Sequence, residues 1–237
     1  MKEEIKIMKV LIIIPAYNEE LNIEATVKDV KNNTNYDYVI VNDGSKDKTK
    51  EICQKNNFNL ISLPINYGLT SAIQVGMKYA KENNYDIAIQ FDGDGQHDIN
   101  YVEDLIKPIL EEDVDMTIGS RFIDSSSSDF KSSGMRRLGI KVISFCIRIR
   151  TGKKIYDTTS GFRAVNKKVL DSFAVHYPLE YPEPISSVDI LLKDMKIKEV
   201  PVSMNERIAG KSSIGSWKNV YYMINVTLSI LLRKRGK

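Results

Sequence analysis

IAIQFDGDGQHDINYVED, residues 87–104, passes from an apolar run into an acidic turn, and the nature of that junction decides the fold. Asp92, Asp94, Gln96, Asp98, Asn100 and Glu103 match positions 1, 3, 5, 7, 9 and 12 of an EF-hand loop. Such a loop needs glycine at position 6, where this chain has His97, and it follows a helix. The run before Asp92 has instead the pattern of a strand buried on both faces. A solvated acidic turn without a ligand is the plain alternative. On the strand reading, Asp92 and Asp94 can direct two carboxylates toward one open site. Two hard oxygen ligands hold Mg²⁺ or Mn²⁺ and leave room for water and a diphosphate.

The same alternation continues on both sides of this stretch. KVLIIIPAY (9–17) reads as a buried strand, after which Asn18 can cap a helix with Glu19 and Glu20 in its first turn. Ile23, Val27 and Val30 form the apolar face of that helix. YDYVIVND (36–43) and FNLISLP (58–64) read as strands; KDKTKEICQKN (46–56) and LTSAIQVGMKYAKEN (69–83) read as helices. A helix around YVEDLIKPIL (101–110) and the strand DMTIGSRF (115–122) follow. Strands alternating with helices imply right-handed crossovers and a mostly parallel sheet covered on both faces, a three-layer α/β/α domain. Ligands of such sheets sit beyond the carboxyl ends of the strands. PAYNEE, NDGS and DGDGQHD all fall at those ends.

The second half is less regular. IDSSSSDFKSSG (123–134) reads as a mobile loop, either a linker or a lid over the strand ends. A basic helix, MRRLGIKVISFCIRIRTGKK (135–154), precedes DTTSGFRAVN, the proline-rich YPLEYPEP and the strand IKEVPVSMNER. RIAGKSS (207–213) has the ending of a P-loop, but Asn205 stands where GxxxxGK[ST] requires glycine, and the segment does not join a first strand to its helix. A calcium-binding module and a P-loop phosphohydrolase are thus the competing classes.

The 237 residues, 42% hydrophobic and 27% charged, suffice for one large domain. A net charge of +3 gives no argument for nucleic acid. Cys53 and Cys146 are far apart and read as reduced thiols of a cytosolic protein. No run reaches the roughly 18 apolar residues of a membrane span. The chain is therefore expected in the cytoplasm or on the cytoplasmic face of a membrane without crossing it.

IIIPAYNEE, VNDGSKDKT, GLTSAIQVGMKYA, QFDGDGQHD, GSRF and TSGFRA resemble, in order, the blocks of family 2 glycosyltransferases with the GT-A fold. The resemblance runs from about residue 8 to 210 and is nearest to the dolichyl-phosphate mannose synthase-like branch and to bacterial cell-surface polysaccharide transferases. It implies a metal-dependent, inverting transferase using a UDP-, GDP- or dTDP-linked sugar, with a polyprenyl phosphate or a glycan as acceptor. The domain would span residues 1–212, with a C-terminal amphipathic helix at 213–237. Pro15, Ala16, Tyr17, Glu19, Asp43, Gly68 and Gly93 would hold the nucleotide sugar, together with Asp92, Arg207 and Lys211. Asp92 and Asp94 would bind the metal, with Gln96 as a further ligand. Asp94, Arg121 and Glu183 would be catalytic, and Arg121 matches a position that contacts phosphate. Arg163 can instead brace the fold.

The chain departs from the family at YPEPI, where Ile185 replaces the final glutamate of a Tyr-Pro-Glu-Pro-Glu run. A sugar hydroxyl benefits from a general base, whereas a polyprenyl phosphate is already ionised near neutrality. Either Glu183 or Asp189 takes over as base, or the acceptor is a phosphate, or activity is impaired. Arg136 and Arg137 are candidates for an acceptor phosphate, because a guanidinium can donate two parallel hydrogen bonds. In VYYMINVTLSILLRKRGK, Val220, Ile224, Leu228 and Leu231 share a helical face ahead of a basic end. That face suits an anionic membrane surface, or packing on the domain or on a second subunit of a homodimer.

Overall fold

A computed structural model describes residues 8–123, 134–204 and 216–234. Strand β1 (Val10–Ala16) is buried along its whole length, as its unbroken apolar run demands. It pairs in parallel with β2 (Asp37–Asn42) on one side and β4 (Ile87–Gln90) on the other. β3 (Leu60–Ser62) extends the sheet beyond β2. Past β4 come β6 (Arg163–Asn166), β5 (Met116–Ser120) and β7 (Ile197–Pro201), giving the order β3-β2-β1-β4-β6-β5-β7. β6 alone is antiparallel to its neighbours, with Gln90 opposite Arg163.

Side chains alternate across the sheet and feed two cores. Ile12 and Ile14 face α1 (Ile23–Asn33), α2 (Thr49–Lys55) and α4 (Val102–Glu111). Leu11 and Ile13 face the other layer, formed by α3 (Leu69–Glu82), α5 (Gly134–Thr151), α6 (Lys167–Val175), α7 (Pro182–Leu192) and α8 (Ser216–Leu231). The anticipated three-layer, mostly parallel α/β arrangement is observed.

One local expectation fails. Asn18 does not cap α1, which begins at Ile23 after an unassisted N-cap at Asn22. Asn18 sits instead at φ 56° and accepts a hydrogen bond from the Lys46 N–H at 2.8 Å. Glu20 likewise accepts from the Lys48 N–H, so the loop after β1 is stitched to the loop after β2 rather than wound into helix. Ile23, Val27 and Val30 are nevertheless the buried face of α1. The proposed loop at 123–134 falls almost entirely outside the described residues, which stop at Ile123 and resume at Gly134. On the C-terminal helix the anticipated apolar face is turned away from the core of the domain. Val226 and Ile230 are fully buried, whereas Ile224, Leu228 and Leu231 are exposed.

Candidate active site

The carboxyl ends of β2, β1 and β4 lie side by side, which brings Asp43, Pro15–Tyr17 and the acidic turn together. Asp43 is 2% exposed, and its carboxylate accepts from the Tyr67 N–H at 2.8 Å and the Gly68 N–H at 2.7 Å. A buried carboxylate satisfied by two backbone donors fixes the turn into α3. Gly68 sits at φ 92°, a conformation that disfavours other residues, with open space where a Cβ would be. Its own N–H engages Asp43. Glu19 accepts from the Asn22 side chain at 2.8 Å, and Tyr17 lies exposed on the rim.

In the acidic turn, Asp94 is nearly buried and accepts from the Gln96 N–H at 3.1 Å, while the Gly93 carbonyl accepts from the Thr26 hydroxyl at 3.2 Å. Asp92 donates its backbone N–H to Nδ1 of His97 at 3.1 Å. The ring proton of His97 therefore resides on Nε2, 3.5 Å from Asp92 Oδ2. His97 stacks on Phe162 at 4.7 Å with a 14° interplanar angle, and burial pushes its pKa down, so the ring is neutral. Sequence reasoning used His97 only to reject an EF-hand; its place beneath the Asp92 carboxylate required knowing the partner segment at Phe162. The EF-hand alternative fails on geometry as well. Asp98 caps a short 3₁₀ turn through Asn100, and Glu103 accepts from the Tyr36 hydroxyl at 2.7 Å. Among the described residues no three His, Cys, Asp or Glu side chains converge as a metal site. Asp92 and Asp94 therefore fit a cation completed by ligand and water rather than an all-protein cage.

Because β6 runs antiparallel, Arg163 starts it at the end where β4 finishes, directly opposite Gln90. Arg163 is 4% exposed; its Nε donates to the Ser160 carbonyl at 2.7 Å and its Nη1 to Ser186 Oγ at 2.8 Å. Four buried polar atoms in this corner lack partners: Gln90 Nε2, Asp92 Oδ1, Ser160 Oγ and Arg163 Nη2. Buried groups of this kind are normally paired, so the corner is built for a polar ligand. Gly161 allows the close approach. A Cβ there would lie 3.0 Å from Gln90 Nε2 and 3.1 Å from Asp92 Oδ2.

Glu183 occupies the first turn of α7, preceded by Tyr181 in the left-handed conformation (φ 51°) and Pro182. Burial pushes the Glu183 carboxyl above its usual range, while the Arg163 guanidinium pulls it back and Asp92 adds to the rise. Burial likewise raises the Tyr177 hydroxyl, which lies within the field of Arg163 and Glu183. Ile185 faces the core at 2% exposure and is a packing residue. Asp189, the other acid considered for this role, accepts from the Arg233 guanidinium through two 2.7 Å hydrogen bonds.

Arg121 follows β5 and is almost buried. Its Nε and Nη2 bond Asp157 at 2.7 and 2.8 Å, and Nη2 reaches Thr159 Oγ1 at 2.9 Å. Asp157 and Tyr156 in turn donate their N–H groups to Glu199, both at 2.7 Å. Arg137 is exposed on α5, where it borders a cavity beside Phe122. Arg207 and Lys211 lie outside the described residues, as does the side chain of Arg136.

The Glycosyl transferase family 2 profile matches residues 11–173. An uncharacterized protein of Methanocaldococcus jannaschii is 32% identical, covering 98% of this chain and 94% of its own length. The UDP-N-acetylglucosamine–dolichyl-phosphate N-acetylglucosaminyltransferase of Methanococcus voltae is 31% identical, covering 96% and 97%. Among solved structures, glucosyl-3-phosphoglycerate synthase from Mycobacterium tuberculosis, in complex with Mn²⁺, UDP and glucosyl-3-phosphoglycerate, superposes with a TM-score of 0.69. That match covers 94% of this chain and 80% of the other at 18% identity, a likeness of fold. With the profile spanning most of the chain and relatives aligned over nearly their whole length, this protein belongs to glycosyltransferase family 2 and has the GT-A fold.

Proposed function

We propose that the chain transfers a sugar, with inversion, from a nucleoside-diphosphate donor to a polyprenyl phosphate, with Mg²⁺ or Mn²⁺ at Asp92 and Asp94. The observation that carries the site is the set of unpartnered buried atoms around Gly161, beside two carboxylates at the strand ends. The acceptor class is supported by the names of the relatives, which include a dolichol-phosphate mannosyltransferase of Pyrococcus furiosus at 31% identity.

Pro15–Tyr17, Asp43 and Gly68 line the side of the nucleotide, and Asp92 and Asp94 face its diphosphate. A divalent cation at those carboxylates would neutralise charge on the departing nucleoside diphosphate. The Asp92 backbone bond to His97 and the packing of that ring on Phe162 hold the turn in place. Arg163 presents a fixed, desolvated positive charge next to the reacting region, where preorganised charge acts most strongly. An ionised phosphate attacks without a base, which suits an enzyme with Ile185 buried in its core. Gln96, Arg207, Lys211, Arg136 and Arg137 remain candidate contacts to diphosphate or acceptor.

Glu183 favours a second reading. A carboxylate raised by burial beside the reacting corner suits a base for a glycan hydroxyl. The test has two stages. Thermal shift with UDP-, GDP- and dTDP-sugars plus Mn²⁺ identifies the donor, and turnover is then measured with polyprenyl phosphate and with free saccharides. Transfer to polyprenyl phosphate that survives Glu183→Gln is expected. Efficient transfer to a saccharide, lost in Glu183→Gln, would establish the second reading instead.

A further inference from the structure

We propose that Glu199, on the edge strand β7, is a positioning residue of the active site. It anchors a strap, residues 156–161, that holds Arg121 in place and walls the corner beside Asp92. Each part of this strap has a fixed partner. At its near end Glu199 accepts the N–H groups of Tyr156 and Asp157, one on each carboxylate oxygen, both at 2.7 Å. The Asp157 carboxylate, 0% exposed, then takes the Arg121 fork, and Thr159 Oγ1 accepts from Arg121 Nη2. At the far end the Ser160 carbonyl accepts from Arg163 Nε, and Gly161 lies so close to Asp92 that a Cβ would be 3.1 Å from Oδ2. A chain of short hydrogen bonds thus runs from Glu199 through one peptide turn to the Arg121 guanidinium.

That guanidinium stands at the site. β4 and β5 are each antiparallel to β6 and therefore parallel to each other. Arg121, just past β5, lies at the edge of the sheet where Asp92 and Asp94 emerge from β4. Its charge reaches His97 beneath Asp92 and adds to the burial that keeps that ring neutral. A cation held in place before substrate arrives needs no reorganisation during the reaction.

A stable edge strand does not need an acid at position 199. Glu199 lies opposite Ile118 on β5 and shares its face of the sheet, where Ile118 packs in the layer of Leu11 and Ile13. An apolar side chain would be the ordinary occupant of that face. A carboxylate there loses hydration, and burial raises its pKa. Two charge-assisted bonds to successive peptide N–H groups, a nest of the kind that seats anions, offset that cost. What they fix is the turn that presents Asp157 to Arg121. Arg163 has a separate support in Ser186 on α7, so loss of Glu199 should loosen Arg121 and leave Arg163 in place. Only the assignment of Arg121 to an acceptor phosphate rests on the polyprenyl phosphate reading; the anchoring does not.

Glu199→Gln keeps the shape of the side chain but turns an NH₂ toward one of the two peptide N–H groups. The Arg121 Nε–H resonance, identified in NMR spectra by its loss in Arg121→Lys, should exchange with solvent about tenfold faster in this variant. The Arg163 resonance should not change. The thermal midpoint should fall by about 3–10 °C, for the loss of one charge-assisted bond. Binding of UDP, GDP or dTDP with Mn²⁺ should stay within about twofold, whereas kcat/KM for farnesyl phosphate should fall about 10–100-fold, as for a misplacement of about 1 Å. A purely structural role would lower the midpoint alone. Adding Glu199→Gln to Arg121→Lys should cost less than about a further twofold in kcat/KM, because the two residues act in series. Glu199→Asp, which keeps the charge on a shorter stem, should fall between wild type and Glu199→Gln in every readout, and it carries the test should the glutamine variant misfold.

Unchanged exchange of the Arg121 resonance in the Glu199 variants would overturn the proposal. So would undiminished transfer by a variant whose Arg121 exchanges faster, or losses that multiply in the double variant. Faster Arg121 exchange in a chain whose wild type never uses farnesyl phosphate would refute the acceptor reading and leave Glu199 as the anchor of Arg121.

Discussion

Replacing Arg121 separates two roles that its position allows. The family resemblance assigns it to phosphate, yet the structure commits Nε and Nη2 to Asp157 at 2.7 and 2.8 Å, with side chains 6% and 0% exposed. Removing one partner of such a buried pair strands the other charge and costs about 3–5 kcal/mol. Arg121→Ala should therefore lower stability by about that amount. Arg121→Lys keeps the charge but loses the fork, so about 1.5–3 kcal/mol is expected, the worth of one charge-assisted bond. Urea denaturation followed by tryptophan fluorescence is the assay. With a slope of about 3 kcal/mol/M, the alanine variant should shift the midpoint by about 1–2 M. The double variant Arg121→Ala with Asp157→Ala should be less destabilised than the sum of the single variants, since neither charge is then stranded. Were the midpoint to move by less than about 0.3 M (under 1 kcal/mol) while donor turnover collapsed, the bracing role would be wrong and the phosphate role would stand.

Asp94→Asn should abolish sugar transfer and the Mn²⁺-dependent thermal shift by donor, while the melting midpoint of the ligand-free chain stays within a degree or two (ΔΔG below about 0.5 kcal/mol); retained metal-dependent transfer would exclude Asp94 as a ligand. Gly161→Ala crowds Asp92 Oδ2 and Gln90 Nε2 by a few tenths of an ångström, and should weaken donor-plus-Mn²⁺ binding by about tenfold with little change in stability, measured by calorimetry. Glu183→Gln should stabilise the chain at neutral pH. The folded state holds the Glu183 proton more tightly than the unfolded state, so wild-type stability falls as pH rises from the unfolded pKa of 4.5 through the raised folded value. The advantage of the glutamine should therefore be absent below about pH 4 and grow across that window; an advantage that shrank with pH would show that Arg163 outweighs burial.

The layered sheet was legible because β1 and β4 are buried along their whole length and β2 over Val39–Asn42, and each carries a short apolar run. β6 was not, since RAVN is four residues long and follows a run of Thr, Ser and Gly with no alternation. Its pairing is set by β4 and β5 from distant parts of the chain. α6 and α7 were hidden for a related reason: prolines at 178, 182 and 184 punctuate the segment, although Pro182 serves as a helix start. The apolar face read from the C-terminal helix was real, but periodicity cannot say which of two apolar stripes meets the core. Val226 and Ile230 took that place.

The same missing strand explains what was legible of the site. Asp92 and Asp94 were found because a strand ending in two acids is a local signal. Gln90, Ser160, Gly161 and Arg163 carry no such signal, and they converge only when β6 turns back against β4. That reversal also decides which acid lies beside Arg163 and Asp92. Arg163 reaches Ser186 on α7, and the left-handed Tyr181 with Pro182 starts that helix so that its first turn lies there. Glu183 then falls within the fields of Arg163 and Asp92, while Ile185 turns into the core. An isoleucine at 185 is therefore a packing residue whose replacement by glutamate would bury an unpaired carboxylate among Val188 and its neighbours, at a cost of several kcal/mol. The acid at this end of α7 is Glu183, placed there by an antiparallel strand that no local pattern announces.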